Sequence, residues 1–184
     1  MADTLTKLTK NQFIPFLDTS KDLTLKACSW KAIDLSTIFS LAMNENTEEK
    51  DYICYKDPVT EVINNKPTLP QEIALYEGNP MYDFMFQEFY DMPTGAKCKI
   101  PFLMCFGGTG KKAWRCISTI TSKELSTVDG KLSFSIEMGG DIEKGTYDIQ
   151  EGVPTFTAAV ESNVWTARQF EDPVIDDVEE LNEE

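Results

Sequence analysis

Histidine is absent from these 184 residues, and only Arg115 and Arg168 supply a guanidinium group. The first absence removes the base that most cysteine and serine nucleophiles need. Together with the lack of any Cys-x-x-Cys pair, it also removes the usual zinc ligand sets. The second, beside a formal charge of −14, argues against a nucleic-acid-binding surface, because affinity for phosphates comes from clustered Lys and Arg that release counterions. No apolar run is long enough to cross a bilayer, and no charged leader with an apolar stretch opens the chain. A cytosolic start and no membrane insertion are therefore expected. The five cysteines, Cys28, Cys54, Cys98, Cys105 and Cys116, are odd in number and scattered. Most lie in apolar, strand-like text such as Tyr52-Ile53-Cys54-Tyr55, which predicts buried, reduced thiols.

Other catalytic patterns are equally thin. The run Gly107-Gly108-Thr109-Gly110-Lys111-Lys112 looks like a phosphate loop, but Cys105 stands where the first glycine belongs and Lys112 replaces the Mg²⁺-binding hydroxyl. A glycine-rich turn between strands explains it better. In Asp141-Ile142-Glu143-Lys144-Gly145 the glycine arrives one position too early for a calcium loop. With 31 acidic residues, chance carboxylate pairs are too abundant to single out a glycosidase dyad. No enzyme activity, metal or cofactor is expected.

What the chain does contain is a β domain with one well-marked helix. Asn79 caps and Pro80 opens a helix over 79–92, rich in Met, Phe and Tyr, with Asp83, Gln87, Glu88 and Asp91 on its wetter side and Pro93 and Gly95 stopping it. Residues 39–43 alternate in the manner of a strand, and 44–50 read as a polar break. Residues 51–56 and 59–63 are short strand-like runs, so 44–70 as a whole reads as an extended hairpin or loop, too polar to be core. Further strands are expected at 71–77, 99–106, 113–122, 131–139, 146–149 and 153–160. The clearest is 131–139, where Leu132, Phe134, Ile136 and Met138 share one face and Lys131, Ser133, Ser135 and Glu137 the other. Asp129-Gly130 before it is a hairpin signal of the type I′ kind. The length suits one domain, here 30–160, with an N-terminal arm and short strand over 1–29 and an acidic arm over 161–184. Eight carboxylates in the last fourteen residues, with no base, carry the charge from −6 to −14. Such an end is either solvated or ordered against a neighbouring subunit.

The order of these pieces resembles the major tail tube proteins of long-tailed, siphovirus-like bacteriophages. The resemblance spans about residues 30–150 and is carried by Trp30-Lys31-Ala32-Ile33, the polar hairpin region, Tyr76-Glu77-Gly78-Asn79-Pro80 leading into an aromatic helix, Asp129-Gly130-Lys131-Leu132-Ser133-Phe134, Gly139-Gly140-Asp141 and Gly145-Thr146. It implies a mainly β fold of two packed antiparallel sheets, a sandwich or barrel, with one flanking helix and extended terminal arms. It further implies that copies close into hexameric rings, which stack into a hollow tube through which the genome is ejected. The implied partners are other copies, a tape-measure protein in the lumen, tail terminator and distal tail or baseplate proteins at the tube ends, and double-stranded DNA in transit. The implied location is the tail of the virion, assembled in the host bacterial cytoplasm.

On this resemblance the region 44–70 becomes an inter-ring loop, with Asn44, Glu45, Glu48, Glu49, Asp57, Asn64, Asn65 and Lys66 as its candidate contacts. The acidic arm becomes a subunit contact, with Phe170, Glu171, Asp172, Val174, Ile175, Asp176 and Asp177 as candidates. Thr119, Thr121, Ser133, Ser135 and Glu137 are the candidates for an acidic lumen face, since carboxylates there repel phosphates and let DNA slide where a basic wall would bind it. With Lys131 and Arg115 on the wet side, the face need not be uniformly acidic. A distal tail, baseplate or head-tail completion protein of the same fold is the alternative. A monomeric β-sandwich binding a host-surface ligand through Tyr52, Tyr55 and Tyr147 is a further one.

Overall fold

The computed structural model describes residues 7–108 and 110–159. They are mainly β and antiparallel, with one α-helix. The strands are β1 (Ile14–Asp18), β2 (Trp30–Ala32), β3 (Glu45–Lys50), β4 (Val59–Asn65), β5 (Thr68–Ala74), β6 (Lys99–Cys105), β7 (Lys112–Ser126), β8 (Lys131–Met138), β9 (Glu143–Gln150) and β10 (Val153–Ala158), and the helix α1 is Pro80–Tyr90.

Strand β7 joins two layers into one folded sheet. Along one edge it pairs first with β9, through residues 112–115, and then with β8, through residues 118–126; along the other edge it pairs with β6. One layer therefore runs β10-β9-β7-β6-β1-β2, and the other β7-β8-β5. The register slips between Thr121 and Glu124, with Ser122 at a φ of 52°, a bulge of the kind that bends and twists a strand.

The alternation of β8 sets the main core. Leu132, Phe134, Ile136 and Met138 are buried with Leu69 and Ile73 of β5, Ile100, Phe102 and Met104 of β6, and Ile120 of β7. A second, smaller core lies on the opposite face of the other layer, where Phe16, Leu103, Cys105 and Ala113 gather Trp30, Tyr147 and Phe156. Strand β6 thus has one face in each core, which is why its text from Ile100 to Cys105 is unbroken by polar residues. Gly145 completes the smaller core: a Cβ there would come within 2.2 Å of the Thr157 carbonyl oxygen.

The helix forms where its cap predicts. Asn79 Oδ1 accepts from the N–H groups of Met81 and Tyr82, each at 3.0 Å, and Met92 ends the run with a φ of 45° just before Pro93. Met81 and Met85, one turn apart, enter the main core. Glu88 corrects the expected wet side, since it is buried, whereas Phe86, Tyr90 and Met92 are exposed. The cause is the loop after β1. The buried Asp18 carboxylate accepts from the N–H groups of Ser20, Asp22 and Ser29 at 3.0, 2.7 and 2.6 Å, and this fold of the loop carries Lys21 to an ion pair with Glu88. A carboxylate next to a cation tolerates burial that an isolated one does not.

Five further expectations are corrected. Residues 39–43 are not a strand: Phe39 and Met43 are exposed, and the stretch touches the sheet only through bridges such as Ala42 to Thr68. Residues 44–50, read as a break, contain β3, while 51–56, read as a strand, form the tip of the β3-β4 hairpin. That hairpin is its own two-stranded sheet. With both faces wet, it is held by its ladder and by pairs such as Lys50 with Glu61, and apolar periodicity carries no signal for it. Cys54 at its tip is exposed, not buried. Finally, the β7-β8 connection is a hairpin with a four-residue loop in which Gly130, and not Asp129, takes a positive φ, so the turn is not of type I′.

Candidate functional site

The five lumen candidates lie together on one sheet face. Thr119 is opposite Glu137 and Thr121 opposite Ser135 on β7 and β8, while Ser133 faces Glu124 across the bulge. On the far side of β8 the same row continues into Thr68, Pro70 and Glu72 of β5, opposite Glu137, Ser135 and Ser133. Thr121 Oγ1 donates to Glu137 Oε1 at 2.7 Å, and Lys131 Nζ donates to Glu72 Oε2 at 2.9 Å. The hydrogen bond to Glu72 raises the Lys131 ammonium above its ordinary pKa. Glu72 is thus neutralised by a lysine, and Glu137 is steadied by a hydroxyl. The face is polar and carries charges of both signs, with Glu124 opposite Ser133, Lys131 on Glu72, and Lys99 of β6 opposite Thr119.

The candidate inter-ring residues fall on the hairpin and its root. Glu45, Glu48, Glu49, Asp57, Asn64 and Asn65 are exposed along it. At the root, Asn44 Nδ2 donates to the Lys66 carbonyl at 3.1 Å and to Thr68 Oγ1 at 2.8 Å, and Lys66 N–H donates to the Met43 carbonyl at 2.9 Å. These bonds fix how the hairpin leaves the domain. Residues 45–65 hold six carboxylates against Lys50 and Lys56, and Glu61 gathers the second half of the stalk. Its carboxyl is held below the ordinary range by the Lys50 ammonium, then by the Tyr52 hydroxyl, which donates at 3.0 Å. At the tip Tyr52 and Tyr55 meet edge to face, with ring centroids 6.1 Å apart. Between them Ile53 is as exposed as in an extended chain, at 104%. The inter-ring candidates read from sequence stressed the polar stalk and left out this apolar tip, whose Tyr52 and Tyr55 were assigned only to the alternative of a ligand-binding module.

The remaining candidates divide. Phe170, Glu171, Asp172, Val174, Ile175, Asp176 and Asp177 lie outside the described residues. Tyr147 packs into the second core, so the structure does not bring it to Tyr52 and Tyr55 as a common contact set. Where β6 gives way to β7, the Phe106 N–H donates to the Lys112 carbonyl at 2.9 Å. Lys111 is bound to Asp148 at 2.6 Å. Among the described residues, no group of three or more Cys, Asp or Glu is placed to hold a metal.

The thiols differ sharply in reach. Burial pushes Cys105 and Cys116 up to about 12, and burial followed by the nearby Asp18 and Asp22 charges pushes Cys28 up to about 11. Since the thiolate is the reacting form, a maleimide at neutral pH is expected to modify Cys54 first and to leave Cys105 and Cys116 untouched until the protein is denatured. Intact-mass and peptide mapping read this directly; early loss of Cys116 would contradict its place in the core.

No family model matches the chain, and no curated protein matches it. Solved structures do resemble it. A chain from the virion of a native gene transfer agent particle superposes with a TM-score of 0.53 at 12% identity, over 83% of this chain and 100% of that one. A chain from the tail of an empty gene transfer agent particle, with C6 symmetry, gives a TM-score of 0.53 at 14% identity, with the same coverage. At such identities the likeness establishes a shared fold, and the fold is that of a β-rich chain from these particles. The likeness covers the whole of each such chain.

Proposed function

We propose that this chain is a structural subunit of a tail tube, closing with other copies into rings that stack into a hollow conduit for a genome. What supports the reading is the fold that 83% of this chain shares with the whole of a chain from a C6-symmetric tail. Two features of the molecule fit it. An acidic hairpin stands clear of the core, as a stacking contact must, and its tip groups exposed Tyr52, Ile53 and Tyr55, the kind of apolar cluster that marks an interaction site where a single exposed residue would not. The row of Thr119, Thr121, Ser133, Ser135 and Glu137 supplies a wall of hydroxyls and a carboxylate past which DNA moves without adhesion. In this reading β-sheet edges and terminal segments are covered by neighbouring copies. A tape-measure protein fills the lumen before ejection, and terminator and distal tail proteins close the ends.

Negative-stain electron microscopy of the concentrated protein tests this. Hollow rods or stacked rings of uniform width are expected; a protein that stays monomeric and saturably binds a glycan or peptide would overturn the reading. The lumen assignment has its own test. Glu137→Lys places a cation on the row and leaves the neighbouring core untouched, so tubes are expected to form normally while genome release slows several-fold. Dye-reported ejection from purified particles measures the rate, and unchanged kinetics would remove Glu137 from the lumen.

A further inference from the structure

A pocket of 610 Å³ opens where the helix ends and β6 begins. Leu23 and Met92 stand on it, 41% and 78% exposed, with Lys97 and Lys99 beside them. Lys21 braces the wall, since its ammonium pairs with Glu88 and donates to the Lys97 carbonyl at 3.2 Å. Lys97 and Lys99 are exposed and make no ion pair among the described residues. In a chain with a formal charge of −14, this is an apolar mouth edged by cations that have no carboxylate of their own.

The β3-β4 hairpin carries the complement. Its tip groups exposed Tyr52, Ile53 and Tyr55. Asp51 and Asp57 flank them, exposed and without an ion pair among the described residues, and Lys56 matches Asp91 at the pocket. Such pairing of opposite charges around an apolar centre selects a partner and fixes its orientation. The strand register places the two surfaces apart. Thr68, Glu137, Thr119 and Lys99 form one row across β5, β8, β7 and β6. The hairpin leaves on the Met138 side of that row, where the Met138 N–H donates to the Pro67 carbonyl at 2.9 Å. The pocket extends to the Lys123 side, where Lys123 Nζ donates to the Glu88 carbonyl at 2.8 Å. The six residues of β3, at ~3.3 Å each, carry the tip about 20 Å from its root. A projection on one side of the subunit and its complement toward the other make a head-to-tail contact, which repeats from copy to copy.

We propose that the hairpin tip of one copy seats in this pocket of a copy in the next ring, with Ile53 between Leu23 and Met92, and Asp51 and Asp57 against Lys97 and Lys99. The inference rests on the tube reading and names the surface that receives its stacking contact. Cys54 at the tip supplies the probe. When rods of Met92→Cys are treated with a short bismaleimide, chains are expected to link into a ladder whose joints map to Cys54 and the introduced thiol. Val153→Cys, exposed at the start of β10, is expected to give no such joint. Charge provides a second test. Lys97→Glu with Lys99→Glu is expected to raise the protein concentration needed for rods about tenfold at low salt, because like charges then face each other across the contact. Adding Asp51→Lys and Asp57→Lys should recover most of that loss. Rods in which Cys54 does not join the introduced thiol, or which form at the same concentration after the lysine reversal, would overturn this inference and leave the tube reading standing. Should Met92→Cys fail to assemble, the charge variants decide: recovery by the second reversal supports the seat, and its absence overturns it. A parent chain that never polymerises would overturn both readings.

Discussion

Replacing residues 46–64 by an Asn-Gly turn is expected to give a folded monomer that no longer forms rods. The hairpin is a separate two-stranded sheet, and Glu45 and Asn65, the pair nearest its root, remain to be joined. Asn-Gly accepts the positive φ angles of a two-residue connection. None of the residues removed belongs to either core, so the shortened chain should fold with little change in stability, as surface connections tolerate deletion. Assembly should respond very differently. The tip residues Tyr52, Ile53 and Tyr55 are exposed at 41%, 104% and 63%, and covering such apolar surface contributes about 25 cal/mol per Å². If the tip is buried on a neighbouring ring, as the proposed tube requires, every ring-to-ring contact loses that anchor at once, and repetition around the ring multiplies the loss. Sedimentation velocity and electron microscopy read the outcome; rods of unchanged width from the shortened chain would place stacking elsewhere. In the parent protein, Cys54, exposed in the monomer, is expected to become shielded from a maleimide on assembly.

The parts of this fold that were legible from sequence are those whose cause is local or one-sided. Asn79 and Pro80 announce the helix because capping is a contact between near neighbours. Strand β8 is plain because one face is buried and the other wet, and the same alternation placed Ser133, Ser135 and Glu137 in a row with Thr119 and Thr121. The row's extension on β5 was missed, because Pro67 and Pro70 made the start of that strand look like a turn. Pro70 is tolerated inside the pairing with β8, opposite Ser135. Strand β3 was illegible for another reason. Its residues are wet on both faces, so no period separates them from loop text. The burial of Glu88 could not be read either, since the cation that permits it arrives from the loop after β1. Phe39, Leu41 and Met43 show the converse error, an alternation with no continuous partner strand to use it.

Phe134→Ala is expected to cost about 3–5 kcal/mol, the loss seen when a large core aromatic is truncated. Phe134 is 2% exposed, lies at the centre of β8 opposite Gln71, and shares the main core with Leu69, Ile73 and Met85. Strand β8 is paired on both sides, by β5 and by β7, so the backbone is poorly placed to sink into the space left behind. Against a total stability of about 5–15 kcal/mol for a domain, such a loss brings the monomer near its unfolding threshold. The neighbouring Ser135→Ala, on the wet face, should change stability by less than about 0.5 kcal/mol, and the contrast between adjacent positions is what tests the alternation. Chemical denaturation of both variants, with the slope of the transition unchanged, provides the measurement. A loss below about 1.5 kcal/mol for Phe134→Ala would mean that the site collapses, and that the two faces of β8 differ less than their burial implies. The deficit should also shrink when the variant is assembled, because any partner that binds only the folded subunit stabilises it by mass action. A Phe134→Ala protein that is fragile as a monomer yet persists in rods would therefore link the core of the subunit to the stability of the tube.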